Sequence, residues 1–564
     1  MQPQSKTRRR PVAALSALAG AVMMLCASGG VQAQAARASF LEFEAKELLL
    51  GDLNGGGPLG GSAVRSIASG PVLLGFEGPS QYNAASFNRS FIPPDTMGAI
   101  GASQYMAVTN GVYGVYSRAG AALSVQSDVA FWAAAGKTDA NGDSRILYNS
   151  DVNRWMVISF AASVANIQIA VSDTSNALGP WKSTEFSGFA GGTADYPTLA
   201  MDKSSVYIGT NNFKVGCNPG SPSSNSFCGV SLNIIPLNSV FAAAPTVTNM
   251  KQFVTPYTYT ASEPDRGYAI QGVNGNTSAT TGKIVATSLL AFDNIAYNVS
   301  GLSAASSAGA TQGAVSYLGL APFTDPGAAR QPATITANQR ITDTLDSRIS
   351  SNVYETQGKI ITVQTVDSGS DHASVRYTVT DATSNAILSQ GEIGSSSFDY
   401  FQGSVAANAA GRVVIGYNRS GATTADLNGD GLADGNVSFM ARTYVLNAAG
   451  VLVATSGELL LKAGLTSDYH NGAIEGGTAT GRQRWGDYSQ VSVDPTDSNK
   501  FWAIGEFARE YNNAAGGHPG GTGGSRWGTY IAEISAVPEP STYGMMALGM
   551  AVVGGMVMRR RRNT

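Results

Sequence analysis

Asp195-Tyr196-Pro197-Thr198-Leu199-Ala200-Met201-Asp202 returns far along the chain as Asp487-Tyr488-Ser489-Gln490-Val491-Ser492-Val493-Asp494. Each copy leads through a turn into a second strand-like run, Val206 to Thr210 in one case and Phe501 to Gly505 in the other. A looser copy, Ser404 to Asn408, turns at Ala410-Gly411 into Val413 to Tyr417. A second element repeats with identical spacing: Asp143-Ser144-Arg145-Ile146 with Asn149, and Asp346-Ser347-Arg348-Ile349 with Asn352. Its following strands are Trp155 to Phe160 and Ile360 to Gln364.

A strand, a polar turn and a strand recurring about every 60 residues is the pattern of stacked or radially arranged sheets. Copies near positions 100, 150, 200, 285, 355, 410 and 495 predict roughly seven hairpins, and seven four-stranded blades would fill Asp95 to Ser535. The expected fold is therefore all-β, a β-propeller of about six to seven blades. Two β-sandwich domains would also supply the strands, but not the return of one hairpin on both sides of the middle. The body, with Pro94-Asp95-Thr96-Met97-Gly98 and Arg484-Trp485-Gly486-Asp487-Tyr488, resembles secreted bacterial β-propeller proteins of the sialidase-like kind. That resemblance implies a fold rather than an activity.

Composition narrows the function classes. Among 564 residues the charged fraction is 13% and the net charge is -3, so the chain lacks the basic face that nucleic-acid binding requires. The 67 glycines, with abundant Ser, Thr, Asn and Ala, fit many short strands joined by tight turns.

Both ends carry their own signals. Arg8, Arg9 and Arg10 precede an apolar run from Val12 to Cys26 and small residues around Ala33 and Ala35, which is the three-part pattern of a secretory signal peptide over residues 1–35. At the other end, Val537-Pro538-Glu539-Pro540 precedes an apolar run from Tyr543 to Met558 and then Arg559 to Arg562. As a helix this run would reach about 24 Å, just short of a hydrocarbon core, with the arginines held on the cytoplasmic side. Motif, marginal transmembrane helix and basic cluster resemble the PEP-CTERM sorting signal over 536–564, which implies recognition by an exosortase-type membrane protease. The expected course is export, anchoring in the membrane by the C-terminal helix before processing, and then a place at the cell surface or outside it. Residues 36–90, with a helix expected near Ser39 to Leu49 and a Gly-rich stretch from Gly51 to Gly61, read as a leader ahead of a body over 91–535.

Of three cysteines, Cys26 lies in the signal, which leaves Cys217 and Cys228 as a pair flanking a Gly/Ser/Pro/Asn loop. In an oxidising compartment such a pair forms a disulfide.

Three constellations could carry chemistry. Asp426, Asn428, Asp430 and Asp434 place side-chain oxygens at positions one, three, five and nine of a loop, with Gly431 at six and the Leu432 carbonyl at seven. Hard oxygens at that spacing suit calcium, as in dockerin-like loops, although Val437 stands where an EF-hand has its bidentate glutamate. The same Asn-Gly and Asp-Gly pairs also favour plain tight turns. Arg145, Arg348 and Arg484, with Asp195 and Asp487 nearby, would meet on one central face of a propeller. There they would either take a carboxylate or acidic sugar, or tie neighbouring blades together.

Hydrolase chemistry has only isolated nominees, Tyr354-Glu355 and Glu506, and His372, His470 and His518 stand near no nucleophile motif. The sequence thus predicts a surface or matrix module that binds polysaccharide or protein, with a glycan-active hydrolase or lyase as the alternative.

Overall fold

The computed structural model describes residues 71–89, 91–138, 140, 142–257, 265–332, 342–467, 483–511 and 525–537. The signal peptide, the Gly-rich leader, the expected helix near Ser39 and the tail beyond Val537 lie outside the described residues.

The described chain is built almost wholly of antiparallel meanders in six sheets, one of nine strands and the others of four or five. The nine-stranded sheet is two meanders joined by a short parallel pairing of Val273 with Val353 and Asn274 with Tyr354. The repeating unit is thus a four-stranded meander, occurring seven times. The innermost strands of units 1, 2, 4, 5 and 6 are Met97–Ile100, Arg145–Asn149, Tyr268–Asn274, Val353–Thr356 and Asp399–Ala407. Unit 3 is led by Thr193–Asp195 with Ala200–Met201, and unit 7 by Gln490–Val493. The first strand of unit 1 packs against those of units 2 and 7, and the series continues through 6, 5 and 4 to Ala200–Met201 of unit 3. Thr193–Asp195 meets the third strand of unit 2, Asn166–Ser172, so the units follow one another around an axis in a propeller-like ring.

Middle strands show why the ring holds. Arg154–Phe160 is buried along six consecutive positions, because one face packs on the preceding unit and the other on the next. A strict inside-outside alternation is therefore lost, and Trp132, Trp155, Trp485, Trp502 and Trp527 are all fully buried between sheets.

The ring begins earlier than the sequence suggested. Val72–Ser80, inside the segment read as leader, is the outer strand of unit 7 and pairs antiparallel with Ser525–Ser535, Leu74 opposite Glu533 and Phe76 opposite Ile531. The last unit is therefore completed by the first strand, which joins the two ends of the ring non-covalently. Gly75 in this strand has a packing role: a Cβ there would lie 2.3 Å from the Tyr530 hydroxyl. A six-residue helix, Gln81–Ser86, follows, its Ser80 and Asn83 forming a capping box.

A second repeat is conformational. Units 1 to 6 each carry a non-glycine residue in the left-handed region either on the approach to the innermost strand or in its first half: Asp95, Asp143, Tyr196, Ala269, Leu345 and Gln402, with φ from 48 to 61°. That conformation is unfavourable for an L-residue and persists where surrounding contacts over-determine it. At Ala269 and Gln402 it coincides with a break in strand register.

Candidate functional site

The leading ends of the innermost strands meet at one end of the axis, and the predicted arginines lie there together. The Arg145 guanidinium stacks 3.4 Å from the Tyr488 ring centroid and 5.2 Å from that of Tyr196, and Arg348 lies 4.6 Å over the other contact of this group, Tyr196. Arg145 donates to the carbonyls of Pro197 (2.9 Å) and Ser350 (3.2 Å), which connects units 2, 3 and 5. The Tyr196 hydroxyl donates to the Asp487 carbonyl (3.2 Å) in the approach to unit 7. Arg348 donates from Nε and Nη2 to the two oxygens of Asp346 (2.7 and 3.2 Å), and Arg484 Nη2 to Asp487 Oδ1 (3.0 Å). Asp195 Oδ1 accepts from the Tyr196 amide (2.6 Å).

All five residues singled out from the repeats are at most 7% exposed. The arginine forks of Arg145 and Arg348 reach carbonyls and tyrosine faces of other units, while Arg348 and Arg484 pair with the local carboxylates of Asp346 and Asp487. The geometry is that of a plug tying the ring across its axis.

The plug also contains residues the sequence reading did not single out as a site. Asp95 Oδ1 accepts from the Asp487 amide (2.9 Å) and Oδ2 from Asn110 Nδ2 (2.7 Å), while Asn110 Oδ1 accepts from the Asp143 amide (2.8 Å). Burial pushes the Asp95 carboxyl well above the usual range, and the charges of Asp487 and Asp143 push the same way. Asp143 is raised by burial and then by Asp195 and Asp487. Burial also raises Glu506; facing Thr96 offsets part of this, and Asp95 adds to it. Aligning the chain on its repeats places an Asp just ahead of the innermost strand in units 1, 2, 3, 5 and 7: Asp95, Asp143, Asp195, Asp346 and Asp487. That register is the signal that would have found them.

The other nominees do not assemble into a hydrolase. Glu506 adjoins the plug, but Tyr354 and Glu355 belong to unit 5, where burial raises Glu355 against the opposing pull of Lys283. His372 bonds Asp399 Oδ1 (3.2 Å) and Arg330 Nη1 (3.0 Å), away from the axis. His470 and His518 lie outside the described residues.

At the opposite end of the axis, where the innermost strands finish, the ring opens into a cavity of about 330 Å³. Tyr148, Asn149, Asn274, Asn276, Tyr354 and Gln490 line it with parts of other strand ends. The Gln490 side chain reaches from unit 7 to the Ile146 carbonyl of unit 2 (3.2 Å) and so floors the cavity above the plug. No motif marks these residues in sequence, since they come from four different units.

Two further expectations lie off the axis. Cys217 and Cys228 form a disulfide with Cα atoms 5.2 Å apart, at the tip of the long hairpin Ser205–Val215/Asn225–Pro236. In the Asp426–Asp434 loop, Asp426 Oδ1 accepts from Gly429 N (2.7 Å) and Oδ2 from Gly431 N (2.9 Å), and Asp430 Oδ1 accepts from Leu432 N (2.9 Å). Asn428 Oδ1 accepts from Asp430 N (2.9 Å). Asp434 Oδ2 accepts from Leu427 N (2.5 Å), and Oδ1 pairs with Arg419 (3.2 Å). These oxygens are turned inward by backbone amides. Among the described residues no group of three or more His, Cys, Asp or Glu side chains is gathered as a metal cluster.

The chain's end decides its routing. Residues 536–562 match the family model of the PEP-CTERM protein-sorting motif. This tail is a PEP-CTERM sorting motif. A PEP-CTERM tail implies export, membrane anchoring before processing, and processing by an exosortase, as the resemblance in Val537 to Arg562 led one to expect. Among the described residues no helix is long and apolar enough to cross a membrane.

No curated protein matches the sequence of this PEP-CTERM chain. Similar solved structures include a protein of unknown function from Dyadobacter fermentans, at 12% identity and TM-score 0.34, covering 78% of this chain and 94% of the other. An alpha-L-arabinofuranosidase from Lactobacillus brevis aligns at 11% identity and TM-score 0.28, over 69% of this chain and 89% of its own. A quinohemoprotein alcohol dehydrogenase from Pseudomonas putida aligns at 10% identity and TM-score 0.37, over 87% and 77%. Likenesses at this level carry no argument about activity.

Proposed function

We propose that this exported, PEP-CTERM-sorted protein is a surface or matrix module whose β-propeller binds extracellular polysaccharide or a surface protein, without catalysis. The observation that carries the reading is the contrast between the two ends of the axis. The charged groups of the plug are buried, whereas the open cavity is lined mainly by tyrosine rings, side-chain amides and apolar strand ends, with Asp151, Asp202 and Lys203 among them. Concave sites with apolar faces and a few convergent polar groups are where ligands bind. The raised carboxyls of Asp95, Asp143 and Glu506, and of Asp202 in the cavity wall, each raised chiefly by burial, favour a glycan-active hydrolase or lyase, since raised acids serve as proton donors.

The Asp426–Asp434 loop is proposed to hold calcium, with Asp426, Asn428, Asp430 and the Leu432 carbonyl as ligands and Asp434 joining them on leaving Arg419. Co-sedimentation of the exported protein with insoluble extracellular polymer from its own culture tests the binding reading. Retention that soluble polymer competes off is expected, and failure to co-sediment in the absence of competitor would overturn it.

A further inference from the structure

We infer that, while its tail still anchors it, the ring hangs with its cavity end toward the membrane, and that bulky molecules reach the axial cavity only once the tail has been cut. The placement does not depend on what the cavity binds; that polymer is taken up only after processing rests on the reading of the ring as a binding module.

Strand register fixes where the chain leaves the ring. In unit 7, Val493, which lines the cavity, pairs with Phe501, and Phe501 pairs with Ile534. Neighbouring strands lie about 4.8 Å apart, so Ile534 stands level with the cavity rim and about 10 Å outward from one of its lining residues. The last strand, Ser525–Ser535, runs in the same sense as Gln490–Val493, from the plug toward the cavity. Beyond it the Ala536 amide donates to the Asn499 carbonyl (2.9 Å), in the turn whose Pro495 also lines the cavity. Ala536 is only 1% exposed, so the ring is folded up to the first residue of the sorting motif. The Ser535 amide donates to the Pro71 carbonyl (2.6 Å), so the chain also enters the ring at this end.

The length of the tether then limits the stand-off. From Val537 to Tyr543, where the apolar run begins, six residue steps reach about 21 Å at full extension. The headgroup layer takes about 5–8 Å of this, which leaves a gap of about 15 Å. Such a gap admits a small molecule but no folded domain, since 100 residues already have a radius of gyration of about 13 Å. Nor can the ring turn over on its tether. To face the cavity outward, the tail would have to run back beside the eleven-residue strand Ser525–Ser535, about 35 Å, which exceeds its reach.

Ser150 and Ser163 report on the two ends of one unit. Both are exposed, Ser150 beside the cavity and Ser163 in the turn after Arg154–Phe160, whose Ile158 pairs with Arg145 at the plug end. Cys217 and Cys228 are joined to each other, so Ser150→Cys and Ser163→Cys each give the ring one thiol.

Each variant, with its tail, is placed in phosphatidylcholine vesicles and treated with a small charged maleimide and with one carrying a long polyethylene glycol chain. The ratio of large-reagent to small-reagent rates should be several-fold lower at Ser150→Cys than at Ser163→Cys. In the purified exported protein the two ratios should agree. An insertion of about 40 Gly/Ser residues after Val537, with an r.m.s. span of about 35 Å, should restore labelling of Ser150→Cys in the vesicles. Equal ratios at the two positions in the anchored protein would overturn the inference. A difference that persists in the exported protein or with the spacer would overturn it too, because the ring itself would then be the mask. Labelling reads no ligand, so failure of this inference and failure of the binding reading are separate results.

Discussion

The Asp487 amide donates to Asp95 Oδ1 at 2.9 Å across a sequence separation of 392 residues. This bond joins the approach to unit 7 to the approach to unit 1, beside the seam closed by Val72–Ser80. Removing the carboxyl would leave two buried donors, Asp487 N–H and Asn110 Nδ2, without an acceptor. Asp95→Ala is expected to cost about 1–3 kcal/mol for each donor left unpaired. Asp95→Asn keeps an acceptor oxygen and the shape, and should cost less. Urea unfolding of both variants checks the order, and equal losses would show that the hydrogen bonds do not matter.

How far this was legible in sequence depends on what each repeat encodes. The Asp-Tyr copies at Asp195 and Asp487 and the Asp-Ser-Arg-Ile copies at Asp143 and Asp346 announced the recurring unit, because they stand at corresponding approaches to the innermost strands, although their side-chain contacts differ. The left-handed residue found in six units was hidden, since Asp, Asp, Tyr, Ala, Leu and Gln share a conformation and not a chemistry. Val72–Ser80 was hidden for another reason. Its Gly75 and Gly78 make room for Tyr530 and Thr529, partners some 450 residues away that local composition does not reveal. The cavity was invisible because Tyr148, Asn276 and Gln490 acquire a common role only once the ring closes.

The first strand should be indispensable. A chain beginning at residue 71 is expected to fold like the longer one, and a chain beginning at 91 to lose cooperative unfolding, because Ser525–Ser535 would be left as a bare edge with Phe76 missing from its cluster. Calorimetric melts of the two truncations decide this. A sharp transition in the shorter chain would place the true boundary where the sequence reading had put it.

Stability should fall as pH rises from the acid side. Asp95, Asp143 and Glu506 have carboxyls raised in the fold, each chiefly by burial. Between the unfolded values, about 3.9 for Asp and 4.3 for Glu, and the raised ones, the folded state binds more protons than the unfolded state. Their contribution is therefore full below the unfolded values and is lost as pH rises through the folded ones. Glu185, lowered first by its bond to Lys137, acts in the opposite sense and only toward the acid end. Melting temperatures from pH 4.5 to 8 should decline, and Glu506→Gln should flatten part of the decline. A wild-type curve that rises over this range would contradict the assignment.

Calcium should raise the melting temperature by mass action, since only the folded loop presents its oxygens together. Half-effect is expected at about 0.1–1 mM, the range of extracellular modules. Asp430→Ala should remove most of the shift without altering the melt in chelator. An unchanged melt at several millimolar calcium would leave the segment as a turn held by its own amides.

The central claim is that this exported protein binds an extracellular polymer and does not cut it. The direct measurement is prolonged incubation of the purified exported protein with a neutral polysaccharide that it retains, following new reducing ends and the ultraviolet absorbance of unsaturated products. Retention with neither signal rising above a protein-free control is the predicted result. Steady release of either product, abolished by Glu506→Gln or Asp143→Asn in a chain that still folds, would contradict it and make the carboxyl cluster an active site.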